Sequence, residues 1–335
     1  MNKEEMLRKL KSKKVIIDGH SHIGILPKFY YQGGNPYALS LEDMIIRMKI
    51  LDIDYSVVFP LGGSIYYKLD LESDKVETTT KYSQFPYELV NRNLLNEIYE
   101  IYPQYSNKVF PFLMFDPSRE AEKQASYMEE LSEKYNVFGL KTVTTYIQSY
   151  VNDLESKGRA ILDLAYKKDF PVVFHSSVHP QDPWASVYDI VDFAERHPDI
   201  RVTIAHSARF TKPVLEKAAK LENCFVDVSA FIIHCQLAVS NSLAIATEDI
   251  RFPADYTNPA SVLTSLVNAY PDTILWGSDT PAYQWIQKYY LADGKLHEER
   301  SECSYDEEAK LLHSISDELK TRIAYTNILK FLFGD

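Results

Sequence analysis

The sequence predicts one α/β domain, a (β/α)8 or TIM barrel, on three observations. Short β-branched or aromatic runs alternate with longer helical patterns, the runs number eight, and several of them end in a polar residue. Strands separated by helices call for a parallel sheet covered on both faces. Eight such units close into a barrel whose body needs roughly 250 residues, so a chain of 335 residues has a surplus for loops. No linker rich in Pro, Gly or Ser and no shift of composition divides the chain, and residues 1–335 are read as a single domain.

The candidate strands fall at 15–18, 55–59, 109–115, 137–141, 172–175, 202–205, 225–228 and 273–276, each a short apolar run of the kind a buried parallel strand requires. Helical patterns fill 41–51, 87–102, 119–135, 153–168, 185–197, 212–221 and 260–269. The surplus is assigned to long loops at 61–83 and 231–258, after strands two and seven, and to a C-terminal helical segment. Both loops leave the C-terminal ends of their strands, the face that carries chemistry in such a barrel. They read either as lids and substrate walls or as plain surface loops.

Composition narrows the function. A hydrophobic fraction of 45% and a charged fraction of 25% describe an ordinary globular protein with material for a large core. A formal charge of -11 argues against a nucleic-acid partner, because neutralising phosphates takes a basic surface. The basic N-terminal stretch, residues 1–14, lacks the apolar segment of a secretory signal, and no apolar run is long enough to span a bilayer. Three widely spaced cysteines suit a reducing, cytoplasmic setting, and the absence of Cys-x-x-Cys argues against a thiolate zinc site. The expected partner is a small-molecule substrate, and a homodimer is compatible with the sequence.

The chemistry concentrates at the strand ends. Val15-Ile-Ile-Asp-Gly-His-Ser-His22 closes the first run with two imidazoles two residues apart, and alternate residues of a strand share a face. Pro171-Val-Val-Phe-His175 and Val202-Thr-Ile-Ala-His206 each end an apolar run in a histidine. Gly139-Leu-Lys141 ends strand four with a lysine, and Ile274-Leu-Trp-Gly-Ser-Asp279 places an acid just past strand eight. A lone histidine at such a position is commonly a hydrogen-bonded structural residue. Polar ends on strands one, four, five, six and eight, however, all open onto one face of a closed barrel. Imidazole and carboxylate suit Zn2+ or a similar ion, and a bound metal brings the pKa of its water toward about 7.

In order and detail these residues resemble the amidohydrolase superfamily, in its amidohydrolase-2 (amidohydrolase-related) branch. Ile17-Asp-Gly-His-Ser-His22, Ile204-Ala-His206, Leu275-Trp-Gly-Ser-Asp-Thr-Pro281 and the closing Arg322-Ile-Ala-Tyr-Thr-Asn327 carry the resemblance, from strand one to the last helix. The resemblance implies a metal-dependent hydrolase-like barrel with His20, His22, His175 and Asp279 as ligands of one divalent metal. Zn2+ is the preferred ion and Mn2+ the alternative. Asp279 would also be the general base and then acid, while His206 would bond the water or the substrate carbonyl. Lys141 is carbamylated between two metals in binuclear relatives; here one metal with a free, substrate-binding Lys141 is preferred to a second metal.

The implied reaction is hydrolysis of an amide, ester or lactone carbonyl in a small, carboxylated substrate. The alternative is non-oxidative decarboxylation of an aromatic or unsaturated acid, which the same ligands serve, and a remote alternative is a barrel that binds without turnover. Arg209, three residues after His206, is placed either to grip a substrate carboxylate or to sit in solvent. Asp227 is expected to support other site groups by buried hydrogen bonds. His179 and His234 are given peripheral roles, and His197, His297 and His313 read as surface. Tyr30, Tyr31, Tyr66, Tyr67 and Trp285 are weak candidates for pocket walls.

Overall fold

The computed structural model describes residues 3–26, 37–61, 67–70, 75–78, 83–290 and 294–334. Its strands, in chain order, are β1 (Ile17–Leu26), β2 (Tyr37–Leu39), β3 (Tyr55–Leu61), β4 (Tyr67–Asp70), β5 (Lys75–Thr78), β6 (Val109–Met114), β7 (Gly139–Thr142), β8 (Val172–Phe174), β9 (Val202–Ile204), β10 (Cys224–Asp227), β11 (Ile274–Leu275), β12 (Gln284–Tyr290) and β13 (Leu296–Glu302). The main sheet runs β11-β10-β9-β8-β7-β6-β3-β1-β2, all pairs parallel except the edge pair β1/β2. Each of the eight expected runs supplies one of its parallel strands.

The ring closes where the segment after β11 meets β1. Gly19 N donates to Trp276 O at 2.9 Å, Asp279 N to His20 O at 2.8 Å and His22 N to Thr280 O at 2.7 Å. Two apolar layers follow from strand alternation. The barrel interior holds Ile17, Tyr55, Val57, Phe59, Phe110, Phe112, Val173, Phe225 and Leu275, and it is plugged from below by Met6 and Leu10 of the first helix (Lys3–Lys11) and Ile328 and Phe331 of the last (Asn327–Phe333). The other side chains of the same strands, such as Val58, Leu113 and Ile204, pack outward against the helices. Asn327 Nδ2 donates to Pro271 O and Ile274 O, both at 2.8 Å, and ties the last helix to strand eight.

Three expectations need correction. Strand one continues to Leu26 instead of ending at residue 18, because β2 and β3 both pair with residues beyond the histidines. The helical pattern at 153–168 breaks into a short 3-10 turn (Val151–Glu155) and a helix (Arg159–Lys168) around Gly158, where a Cβ would lie 2.6 Å from Pro117 O. The stretch 231–258 opens with a buried helix, Phe231–Val239, instead of a loop. The antiparallel hairpin β12/β13 after strand eight has no counterpart in the sequence reading. Of the tyrosines suggested as walls, Tyr30, Tyr31 and Tyr66 lie outside the described residues. Among the described residues no helix is long and apolar enough to cross a membrane.

Candidate active site

The site is built from the ends of β1, β7, β8, β9, β10 and β11, on the face to which these strands point their C-termini. His20 and His22 both lie on β1 despite a register irregularity between Asp18 and Ser21. Their Nε2 atoms each stand 3.3 Å from Asp279 Oδ1, and the three residues can offer ligand atoms that all lie within 4.8 Å of one another. Close packing fixes this convergence, since a Cβ on Gly277 would fall 2.5 Å from the Cβ of His20.

The polar groups behind these donors define their protonation. His20 Nδ1 is 2.8 Å from Asp227 Oδ2. With Nδ1 turned to Asp227, His20 presents Nε2 to Asp279 and the barrel mouth, the orientation that carboxylates impose on metal-binding histidines. Burial opposes charge on His20, but the Asp227 and Asp279 carboxylates outweigh it and raise its pKa. Burial likewise opposes charge on Asp227, yet His20, Lys141 and the Ser229 hydroxyl hold its pKa below the usual carboxylate range. Asp279 is kept ionised in the same way, its burial overcome by the hydrogen bonds of His20 and His22. Lys141 Nζ sits 3.5 Å from His20 Nε2 and 5.0 Å from the Phe59 ring centroid, and burial brings its pKa down to about 8.

A second group of side chains lies beside the first. His175 Nδ1 is 2.9 Å from His206 Nε2, and His175 Nε2 is 3.3 Å from Arg209 Nη2. A guanidinium only donates, so His175 Nε2 accepts and its Nδ1 carries the proton toward His206. His206 Nδ1 then donates to Ser229 Oγ at 2.9 Å, and that hydroxyl donates to Asp227 Oδ1 at 2.5 Å. Both nitrogens of His175 are therefore engaged outside the three-donor group of His20, His22 and Asp279. The two clusters touch through the rings of His20 and His206, whose centroids are 5.5 Å apart.

Arg209 reaches the site through an unusual backbone. His206, Ser207, Ala208, Arg209 and Phe210 all have positive φ, between 47° and 63°, a left-handed run that costs roughly 1–2 kcal/mol per non-glycine residue. Such strain persists where surrounding structure over-determines it, commonly at functional sites. The side chain is only 2% exposed, which excludes the solvated alternative. Nε donates to Ser176 O at 2.8 Å and Nη1 to His234 Nε2 at 2.7 Å. His234 can accept because its Nδ1 proton goes to Ala230 O at 2.7 Å. Among the described residues no carboxylate lies within ion-pair distance of Arg209. Of its five N–H groups three are used, leaving one on each terminal nitrogen.

Arg209 and His175 line a cavity of about 330 Å³ with Tyr146, His179, Asp182 and Trp285. Tyr146 stacks on His175 at 6.3 Å between centroids, and Trp285 lies 5.6 Å from the Arg209 guanidinium. Asp227 bonds buried site groups as the sequence reading expected, whereas His234 is more central than that reading allowed. Ser229 and Tyr146 escaped it. Ser229 had a usable signal, since it follows Asp227 at the i+2 spacing of a strand end. His197 and His313 bond Glu155 and Leu51 O away from the mouth.

The donor set fits a divalent ion, combining two imidazoles and a carboxylate with a buried His22 Nδ1 that has no hydrogen-bond partner. Fold and donors together describe a barrel whose mouth can hold a divalent ion. A family model described as Amidohydrolase matches residues 17–334, so the chain belongs to the amidohydrolase family, a family of metal-dependent enzymes. No curated protein matches it.

Solved structures match over nearly the whole length at low identity. A probable 2-pyrone-4,6-dicarboxylic acid hydrolase from Acinetobacter baumannii is 14% identical, covering 96% of this chain and 99% of that one, at a TM-score of 0.56. A 5-carboxyvanillate decarboxylase from Novosphingobium aromaticivorans with bound manganese is 11% identical, covering 96% and 98%, at 0.60. A 2,6-dihydroxybenzoate decarboxylase from Rhizobium is 12% identical, covering 96% and 99%, at 0.59.

Proposed function

We propose that the protein is a divalent-metal-dependent hydrolase of an amide, ester or lactone in a small molecule that bears a carboxylate. The observation that carries this reading is Arg209, a buried guanidinium with two N–H groups to spare and, among the described residues, no carboxylate within ion-pair distance, joined to the His20–His22–Asp279 donors through His175 and His206. His20, His22 and Asp279 would hold the ion, with His175 beside them. We take the ion as Zn2+ in preference to Mn2+, and as single, with Lys141 a free amine that adds positive charge for the substrate. When bound, the ion supplies polarisation of the substrate oxygen and acidification of water.

The chain's own residues do the rest. Asp279 takes the proton of the attacking water and returns it to the leaving group. To hydrogen-bond the substrate oxygen, His206 would take its other tautomer, with the proton on Nε2 and Nδ1 accepting from Ser229 Oγ. Arg209 holds the carboxylate through its fork of two N–H donors.

That last contact favours hydrolysis over decarboxylation. A guanidinium stabilises a carboxylate more than the carbon dioxide it would become, so it deepens the ground state and not the transition state. The carboxylate is then a handle and not the leaving group. The hydrolase neighbour, named for a dicarboxylic acid, agrees with this.

The decarboxylase reading draws on a different observation, the aromatic flanks Tyr146 and Trp285, which suit a flat unsaturated acid, and on the two decarboxylase neighbours. Two assays on zinc- and manganese-loaded protein decide between them. One follows acid release from carboxylated lactones, esters and amides, and the other follows carbon dioxide release from hydroxybenzoates and muconate-type acids. Carbon dioxide release without hydrolysis would replace the first reading by the second.

A further inference from the structure

We infer that the substrate has two parts, a carboxylated head bound beside Arg209 and a neutral, apolar arm that lies in a second, larger groove adjoining the first cavity. The inference rests on the hydrolase reading and adds the shape and polarity of the molecule. The larger space, about 650 Å³, is bounded by the loop after β8 and by the segment after the Phe231–Val239 helix. It shares Ser177, His179 and Asp182 with the cavity of about 330 Å³ that holds Arg209. On the opposite wall Ala244 faces the smaller space and Ile245, the next residue, faces the larger. The two spaces therefore adjoin at these residues, and the inferred substrate spans both.

Both walls are fixed before any ligand arrives. Ser177 N donates to Ala185 O at 2.7 Å and Val187 N to Ser177 O at 3.3 Å, which folds the first loop back on itself. The second wall is tied to the Arg209 strand end by Ala246 N to Arg209 O at 3.1 Å and Phe252 N to Phe210 O at 2.8 Å. A preformed cavity spares a ligand the cost of ordering its walls.

The lining selects the arm. Val178, Pro183, Val187, Leu243 and Ile245 give apolar surface, with Leu243 44% exposed at the rim. Glu248 also borders the groove and repels an anion, whereas Asp182 lines both spaces and does not distinguish them. Among the described residues Arg251 is the one lysine or arginine that lines the groove; its guanidinium donates to Ala246 O at 2.8 Å, Ala238 O at 2.8 Å and Asn241 Oδ1 at 2.9 Å. The charges of Arg251 and Glu248 offset one another, so the groove offers a second carboxylate no net attraction, whereas an alkyl or acyl arm would leave water for apolar walls.

Calorimetric titration of the zinc-loaded protein with 4-oxopentanoate, 4-oxooctanoate and 4-oxododecanoate tests this. Each carries one carboxylate and a ketone that cannot be hydrolysed, and only the alkyl arm grows. We expect the Kd to fall at least about tenfold over the first three added methylenes, since each buried CH2 is worth up to about fourfold. Leu243→Asp, at the exposed rim, and Val178→Trp, on the facing loop, should each reduce that gain to within about twofold. Equal binding of the three acids, or a chain-length gain that survives both variants, overturns the arm. If none of the three binds, carboxylate capture by Arg209 is itself wrong and the inference falls with it, so the two failures are told apart.

Discussion

His20 and Asp227 meet across the barrel at 2.8 Å, imidazole Nδ1 to carboxylate Oδ2, with both side chains 1% exposed. The pair joins strand one to strand seven and sets which nitrogen of His20 faces the mouth. Asp227 does more than hold His20, because its other oxygen accepts from His206 N at 3.1 Å and from Ser229 N at 3.0 Å.

Asp227→Asn should therefore weaken metal binding without emptying the site. The amide preserves shape but loses the charge that orients His20, and loss of such a supporting carboxylate lowers metal affinity about 10–100-fold. Competition for Zn2+ against a chromophoric chelator measures this. An unchanged affinity would show that His20 is oriented by packing alone.

Gly277→Ala should act on the same histidine through sterics. The added methyl would sit 2.5 Å from His20 Cβ and 2.9 Å from His20 N, and backbone cannot retreat as a flexible side chain can. Overpacking of this kind costs roughly 1–3 kcal/mol. Thermal unfolding and metal titration should fall together, whereas a variant with native melting and native affinity would mean that β1 shifts freely.

Much of this was legible in the sequence because it is written locally. Eight apolar runs mark eight buried strands, and a polar residue at a run's end marks the barrel mouth. His20, His22 and Asp279 converge as alternation along β1 and closure by the segment after β11 require. What was not legible depends on contacts between distant segments. The left-handed run from His206 to Phe210 has no glycine to announce it, yet it turns Arg209 inward. His234 falls in a stretch expected as a loop, either a lid or a plain surface connection, but Phe231–Val239 is a helix that buries its histidine against Arg209. His175 looks like a third imidazole for the ion by position, while its two nitrogens face Arg209 and His206.

Glu308 supplies a pH test on a group that is not itself a proposed ligand. It is wholly buried, its Oε1 accepts from Ile232 N at 2.9 Å, and Oε2 has no hydrogen-bond partner among the described residues. Burial pushes its pKa well above the usual range, helped by repulsion from Asp279 and Asp18. Above about pH 4.3, where an unfolded glutamate ionises, the folded state keeps a proton that the unfolded state has lost. Stability then falls as pH rises until the folded pKa is reached. Glu308→Gln removes that dependence, so its melting temperature should gain on wild type steadily from pH 5 to pH 8. Parallel melting curves across that range would mean that Glu308 is ionised in the folded protein.

Arg209→Lys separates holding the substrate from reacting with it. The ammonium keeps the positive charge but loses the planar fork, and it cannot replace three donors directed at Ser176 O, His175 and His234. If Arg209 only grips the carboxylate, the interaction is made equally in the ground and transition states. KM should then rise about tenfold or more, in line with a charge-assisted hydrogen bond worth about 1.5–3 kcal/mol, while kcat moves by less than about threefold. A fall in kcat at constant KM would place the guanidinium at the developing charge of the transition state. In that case the carboxylate would lie elsewhere, and the remaining buried cation beside His20, Lys141, would be the residue to test next.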